Sequence, residues 1–294
     1  MSLFQPDLPL DELIRRWAPE PSRFMDLQGM KVHYRDEGPR HDPWPIVLVH
    51  GTAASLHTWE GWVQALKGER RVITMDIPGF GLTGPDPQAD YHIDRYTRFI
   101  LGVLDSLGVC GRFIIGGNSL GGEIAWHVAA AVPDRVRAAI LVDAAGYYAH
   151  PTGMPLGFAL AAMRGMSWLT TRSMPRGVLR ASMRFVYGNP AKITPELEQR
   201  YFEMALRPGN RRALGQRLQQ HTMGQECDRL QRLTMPTLLM WGAKDRIFDM
   251  NHAQALHAAI PGSQLVSFAE LGHVPHEEDP SLTVGALKTF LAKL

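Results

Sequence analysis

Ser119 stands inside Gly117-Asn118-Ser119-Leu120-Gly121-Gly122, after the apolar run Phe113-Ile114-Ile115 and ahead of residues 123–131, which read as a helix. A buried strand, a tight turn and a helix form the setting in which a serine hydroxyl is pushed out of a sheet in a strained conformation. Gly117 and Gly121 suit points where side chains would collide with neighbouring backbone. The Leu120 N–H falls at the start of the helix, where unpaired amides and the helix dipole favour negative charge. The chemistry predicted is nucleophilic attack by Ser119, which requires a base to take its proton and an acid to hold that base.

Twelve histidines compete for the role of base. His273 is selected because Leu271-Gly272-His273-Val274-Pro275 follows the last predicted strand in a turn-forming loop; His276 is its neighbour and rival. The acid is sought among carboxylates at strand ends. Asp245 follows Trp241-Gly242 and is the choice, with Asp143 the structural runner-up and Asp249 third. Asp76 precedes Pro78-Gly79-Phe80-Gly81 and is expected to organise that loop. Acyl transfer also needs donors for an oxyanion. The backbone amides of Leu120 and Thr52 are expected to supply them, with Ala53 next after Thr52, while His50 braces the loop.

Elements must bring these residues together. Strands are predicted at residues 23–27, 30–36, 45–49, 71–75, 113–116, 136–143, 237–241 and 264–268, with helices at 58–66, 93–107, 123–131, 251–259 and 281–294 between or after them. Alternation of this kind predicts a mostly parallel sheet covered on both faces. It stops at residues 144–233, which lack an apolar strand and hold half of the fourteen methionines. That stretch is read as a helical insertion over the carboxyl ends of the strands, where ligands bind in open α/β sheets, with methionines suited to an adaptable apolar wall. The division expected is 1–22 as an N-terminal segment, 23–143 with 234–294 as the core, and 144–233 as a cap.

The 294 residues suffice for one large α/β domain, and 45% hydrophobic with 20% charged residues is ordinary for a soluble globular chain. A formal charge of +2 without a basic block gives no reason to expect nucleic acid. Cys110 and Cys227 form no CxxC or zinc pattern, so a reducing, cytoplasmic setting is expected. Residues 1–20 lack the apolar core of a signal peptide, and no run approaches the roughly 18 apolar residues of a membrane span. Leu10, Leu13, Ile14 and Trp17 have helical spacing. They predict either a helix packed on the domain or one that attaches to a membrane surface or a partner, the former being the simpler reading.

The motifs His50-Gly51-Thr52, Asp76-Ile77-Pro78-Gly79-Phe80-Gly81, Gly117-Asn118-Ser119-Leu120-Gly121-Gly122, Trp241-Gly242-Ala243-Lys244-Asp245 and Gly272-His273-Val274-Pro275 occur in this order. Residues 23–294 thereby resemble the α/β-hydrolase fold superfamily. The order Ser119, Asp245, His273 is its nucleophile–acid–base order. The resemblance implies an α/β fold with an eight-stranded, mostly parallel sheet, a helical cap, and no cofactor or metal. Relatives with an Asp nucleophile, the haloalkane dehalogenases and epoxide hydrolases, are disfavoured by Ser119. Aminopeptidase-like members are disfavoured because the cap has no clear acidic cluster for a substrate amine.

The expected activity is that of a carboxylesterase or lipase-like serine hydrolase acting on a small acyl ester. A second reading is hydrolysis of carbon–carbon bonds in ring-fission products. Members of that kind often carry Gly-Asn-Ser-Met-Gly-Gly, but usually with a longer Gly-rich loop than Thr52-Ala53-Ala54-Ser55. Such a substrate needs a cation for its carboxylate, and Arg164, Arg172, Arg176, Arg180 and Arg184 are the candidates. A third reading is a ligand-binding receptor on the same fold.

Overall fold

Apolar runs that are buried on both sides belong in the middle of a sheet, and four of them lie there. In the computed structural model, which describes residues 5–147, 151–163, 167–221, 224 and 226–294, the chain starts with α1 (Leu10–Trp17), β1 (Arg23–Leu27) and β2 (Met30–Glu37). It continues through β3 (Ile46–Val49), α2 (Glu60–Leu66), β4 (Val72–Met75), α3 (Ile93–Ser106), β5 (Phe113–Asn118), α4 (Leu120–Ala131) and β6 (Val136–Val142). Then come α5 (Leu156–Ala162), α6 (Ser167–Thr170), α7 (Arg176–Val186), α8 (Pro195–Ala205) and α9 (Asn210–Gln220). The chain ends with β7 (Thr237–Gly242), α10 (Met250–Ala259), β8 (Gln264–Phe268), α11 (Pro275–Glu278) and α12 (Pro280–Leu291). Arg164 and the first four residues lie outside the described residues.

The eight strands form one sheet in the order β1-β2-β4-β3-β5-β6-β7-β8. β1 and β2 pair antiparallel, β2 meets β4 antiparallel, and the pairs from β4 to β8 are parallel. Alternate residues of each central strand serve opposite layers, as the period of two requires. Val47, Val49, Phe113 and Ile115 pack with Phe99, Val103 and Ile124 of α3 and α4. Ile46, Leu48 and Ile114 pack with Trp59, Trp62, Leu287 and Phe290 from around α2 and α12. Between β6 and β7 the described residues form helices and loops and no strand.

Local differences from the sequence reading have simple causes. Residues 56–59 form a 3-10 turn ahead of α2, because the Leu56 N–H is taken by Asp76 Oδ1 at 2.7 Å. The loop after β8 contains α11, a single turn opened by Pro275, a residue whose fixed φ suits the first helical position.

The amphipathic N-terminal helix is packed on the protein. Leu13 and Trp17 are buried with Leu82 and Met204, and Leu10 and Ile14 lean on the same cluster. Among the described residues no helix is long and apolar enough to cross a membrane.

Candidate active site

The elbow is built by backbone crowding. Ser119 has φ 54° and ψ −118°, a region that non-glycine residues rarely occupy. It is held there from three sides: Ser119 N–H donates to the Val142 carbonyl at 3.0 Å, and the Ser119 carbonyl accepts from Glu123 N–H and Ala145 N–H, each at 3.0 Å. A side chain at Gly117 would run into the Gly121 carbonyl, and one at Gly121 into the Val49 carbonyl. The turn therefore lies flush against β3, and Ser119 is left half-buried at the mouth of a cavity. Asn118 ties the elbow to the histidine loop: its Nδ2 donates to the Val142 carbonyl at 3.1 Å and to the His273 carbonyl at 2.9 Å.

His273 and Asp245 come together from the loops after β8 and β7. His273 Nδ1 lies 2.7 Å from Asp245 Oδ2, and both side chains are buried. A carboxylate oxygen accepts, so Nδ1 carries the proton and Nε2 is left as a base. Asp245 Oδ1 accepts from Ile247 N–H at 2.7 Å and Phe248 N–H at 3.2 Å, which fixes the carboxylate before the histidine meets it. Phe248 in turn flanks the imidazole, with ring centroids 5.7 Å apart.

Asp143 is also at this site. It ends β6 with φ 42°, is fully buried, and accepts from Gly242 N–H at 3.0 Å. Burial, and then the neighbouring charge of Asp245, push its carboxyl well above the usual carboxylate range. Two acids that share one low-dielectric pocket push a carboxyl up in this way. Asp143, Asp245 and His273 are the one cluster among the described residues with metal-ligand spacing, their ligating atoms lying within 4.8 Å of one another. Asp245 is engaged by His273 and two amides, whereas Asp143 accepts from Gly242 N–H through Oδ1 and its buried Oδ2 has no partner among the described residues.

The other candidates have separate places. His276 is fully buried with Nε2 3.0 Å from Thr58 Oγ1 and its ring 4.0 Å from that of Trp59; burial holds it far below the ordinary imidazole range. His50 Nδ1 donates to the Gly51 carbonyl at 2.8 Å, and its Nε2 accepts from Ile77 N–H at 3.1 Å, so it braces the loop after β3. Asp76 accepts from Leu56 N–H and Leu82 N–H, each at 2.7 Å, and pairs with His33 Nδ1 at 2.7 Å. Burial alone would raise its carboxyl, but His33 and the other nearby histidines hold it below the usual range. Asp249 caps α10 through Asn251 N–H and His252 N–H.

Thr52 lies beside the elbow, because Gly51 passes so close that an added Cβ would stand 3.2 Å from Ser119 Cβ. Ala53, next in the chain, has φ 58°, a left-handed conformation that turns this segment over the cavity. Leu120 is the first residue of α4, so its N–H has no acceptor within the helix.

Two cavities meet at Ser119 and Thr52. One, of about 120 Å³, is closed by His273, Val274, Val178, Met183, Val186 and Leu214 among others, and its walls are largely apolar. The other, of about 240 Å³, runs past Leu120 and Phe158 to Glu123, Arg217 and His221. A more open cleft of about 840 Å³ lies between the N-terminal segment and α9, away from Ser119. Of the arginines considered as carboxylate anchors, Arg172, Arg176, Arg180 and Arg184 are exposed and line neither cavity at Ser119.

Several residues that hold the histidine loop left little mark in the sequence. Glu278 accepts from Gly272 N–H at 2.9 Å, Gly188 N–H at 3.0 Å and Asn189 N–H at 2.7 Å, clamping the histidine loop to the segment after α7. Glu277 gathers the hydroxyls of Tyr187 and Tyr201 and the guanidinium of Arg200 at 2.8–2.9 Å. The one available signal was the acidic pair directly after His273-Val274-Pro275-His276.

A sequence profile described as the alpha/beta hydrolase fold matches residues 45–280. The chain belongs to the alpha/beta hydrolase fold family. This hydrolase is 26% identical to the 2-hydroxy-6-oxo-2,4-heptadienoate hydrolase of Pseudomonas putida, over 93% of this chain and 97% of that one. Among solved structures it is similar to a bacterial membrane phospholipase A, with TM-score 0.78 and 26% identity over 97% of this chain and 89% of the other. It is also similar to a thermophilic esterase from Thermogutta terrifontis, with TM-score 0.76 and 25% identity over 92% and 98% of the two chains.

Proposed function

We propose that this hydrolase cleaves short-chain carboxylic esters through an acyl-enzyme on Ser119. Ser119 Oγ attacks the ester carbonyl carbon while His273 Nε2 takes its proton. Asp245 orients the imidazole and stabilises its charged form. The Thr52 and Leu120 amides hold the oxyanion. His273 then gives the proton to the departing alcohol, water enters, and the same residues release the acid. The helices between β6 and β7 act as a cap whose apolar side chains exclude water from the reaction.

The observation that carries the reading is the 2.7 Å pair of His273 with Asp245 on a largely apolar cavity that also contains Ser119. That cavity is small, about 120 Å³, and its largely apolar walls suit an acyl chain of a few carbons. Hydrolysis of ring-fission products is a second reading, favoured by the identity to the heptadienoate hydrolase. Arg172, Arg176, Arg180 and Arg184 are exposed and offer its carboxylate no anchor, so that reading would have to rest on Arg217, which lines the larger cavity at Ser119.

The test is a p-nitrophenyl ester series from acetate to palmitate, with wild type and Ser119→Ala. The expected result is an optimum between acetate and hexanoate and loss of turnover in the variant. Turnover of a ring-fission product with negligible ester hydrolysis would overturn the ester reading in favour of the second.

A further inference from the structure

The larger of the two cavities at Ser119 has a polar end that the ester reading leaves unused. Glu123 lies on α4 four residues after Ser119, the residue that caps the helix, so it faces the same side about one turn away, roughly 6 Å along the axis. Arg217 reaches it from α9, its Nη2 3.3 Å from Glu123 Oε2, and both side chains are only 6% exposed. His221 completes the group with Nδ1 3.9 Å from the same oxygen. The walls on the way are apolar: Pro155, Phe158, Ile247 and Phe248.

This is an unusual place for an ion pair whose only purpose is stability. A buried pair needs its remaining donors satisfied. Here the guanidinium makes one long contact to Glu123, and its Nε has no partner among the described residues. A buried guanidinium with unused donors, at the end of an apolar passage that starts at the nucleophile, is a receptor for a planar anion.

We propose that the Arg217 end of this cavity binds a carboxylate carried by the ester itself, so that the preferred substrates are monoesters of short dicarboxylic acids, with the charged group about one helical turn from the scissile carbonyl. The proposal rests on the serine-hydrolase reading above and adds a substrate class to it. A chain of three methylenes between the two carboxyl carbons spans the distance. Glu123 and the substrate carboxylate then compete for one guanidinium.

The competition has a pH dependence. Burial raises the Glu123 carboxyl to about 7, against which Arg217 pulls it down. The groups facing it are Arg217 and His221, the latter held to about 3 by burial and then by the Arg217 charge, and so neutral. Tyr96, whose ring centroid lies 6.0 Å from the guanidinium, is kept protonated by burial. Protonation of Glu123 releases Arg217 to the ligand, so carboxylate binding strengthens as pH falls from 8 to 6.

The experiment compares monomethyl glutarate with its uncharged amide isostere, methyl glutaramate, by titrating released acid. Binding of glutarate and glutaramide is measured in parallel by calorimetry, which needs no turnover. The expected result is a kcat/KM ratio of at least tenfold for the charged ester at pH 6, carried mostly by KM, with a matching preference in binding. The ratio should fall toward one in Arg217→Gln and recover in part in Arg217→Lys. Glu123→Gln should hold at pH 8 the preference that wild type shows at pH 6. If Arg217→Gln does not fold, the wild-type pH dependence and Glu123→Gln decide. A ratio near one at both pH values, in turnover and in binding, overturns the proposal. Turnover of p-nitrophenyl butyrate alongside that result would leave the serine-esterase reading standing. Its loss together with intact glutarate binding would overturn that reading and keep the anion site.

Discussion

Asp143 and Asp245 end adjacent strands and share one buried pocket, yet only Asp245 lies within hydrogen-bond reach of His273. On the proposed roles, Asp245→Asn should lower kcat by about 10⁴, because an amide no longer fixes the Nδ1–H tautomer. Asp143 is different, since burial and the charge of Asp245 push its carboxyl well above the usual range. Asp143→Asn keeps an acceptor for the Gly242 N–H and a donor toward Asp245, so kcat should stay within about threefold of wild type. Asp143→Ala strands a buried amide and should cost about 1–3 kcal/mol of stability, read as a shift of the urea midpoint. If Asp143→Asn were as inactive as Asp245→Asn, the division of labour between the two acids would be wrong. At this scale Ser119 and His273 were legible because each sits in a short motif whose neighbours report its setting. The partnership of Asp143 with Asp245, the Glu278 clamp and the Arg217–Glu123 pair join residues dozens of positions apart. No local pattern encodes which of many charged residues will meet.

The elements of the sheet were legible for a related reason. β3 is a continuous apolar run followed by His50-Gly51, β5 opens with the apolar run Phe113-Ile114-Ile115 before Gly116-Gly117, and burial on both faces leaves few other interpretations of such runs. The helices between β6 and β7 were legible only as an absence of strands, because their faces are set by the cavity they cover. α1 is packed on the protein, the simpler of its two readings. Trp17 Nε1 donates to Glu203 Oε2 at 2.6 Å on α8, and the Trp17 carbonyl accepts from His57 Nε2 at 2.7 Å beside α2. The helix therefore joins a core loop to the helical insertion. Trp17→Ala should destabilise the protein by about 3–5 kcal/mol. Trp17→Phe keeps most of the contact area and loses the indole hydrogen bond to Glu203, a cost of about 1–3 kcal/mol. Urea denaturation of the two variants separates packing from hydrogen bonding. Equal, small losses would mean that α1 is an appendage.

Across the whole molecule, the buried histidines govern the response to acid. Burial is the first cause in each case: it holds His57 and His127 to about 3 and His276 well below its ordinary value, while His221 is held to about 3 by burial and Arg217. All four are depressed in the folded state, so the unfolded chain binds more protons once pH drops below the ordinary histidine value of about 6.5. Their contribution is present above about 6.5 and is lost as pH falls toward 3. Each proton taken up only by the unfolded chain removes about 1.4 kcal/mol per pH unit. Glu123 opposes this. Its folded value, about 7, is raised, so its contribution is present below about 4.5 and is lost as pH rises through 7. His50 and His252 are depressed in the same way, and Asp143 is raised like Glu123, so the histidines outnumber the opposing acids and stability falls as pH drops below about 6.5. A domain with a typical stability of about 5–15 kcal/mol should then lose a substantial part of it before most carboxylates titrate. Urea midpoints at pH 7.5, 6.5, 5.5 and 5.0 measure this directly. His127→Phe, which keeps a ring stacked on Trp126 and removes one proton site, should reduce the slope by about 1.4 kcal/mol per pH unit. A midpoint that stays level down to pH 5 would mean that these imidazoles accept protons inside the folded protein, and that acid stability rests instead on Asp76 and the other ion-paired carboxylates.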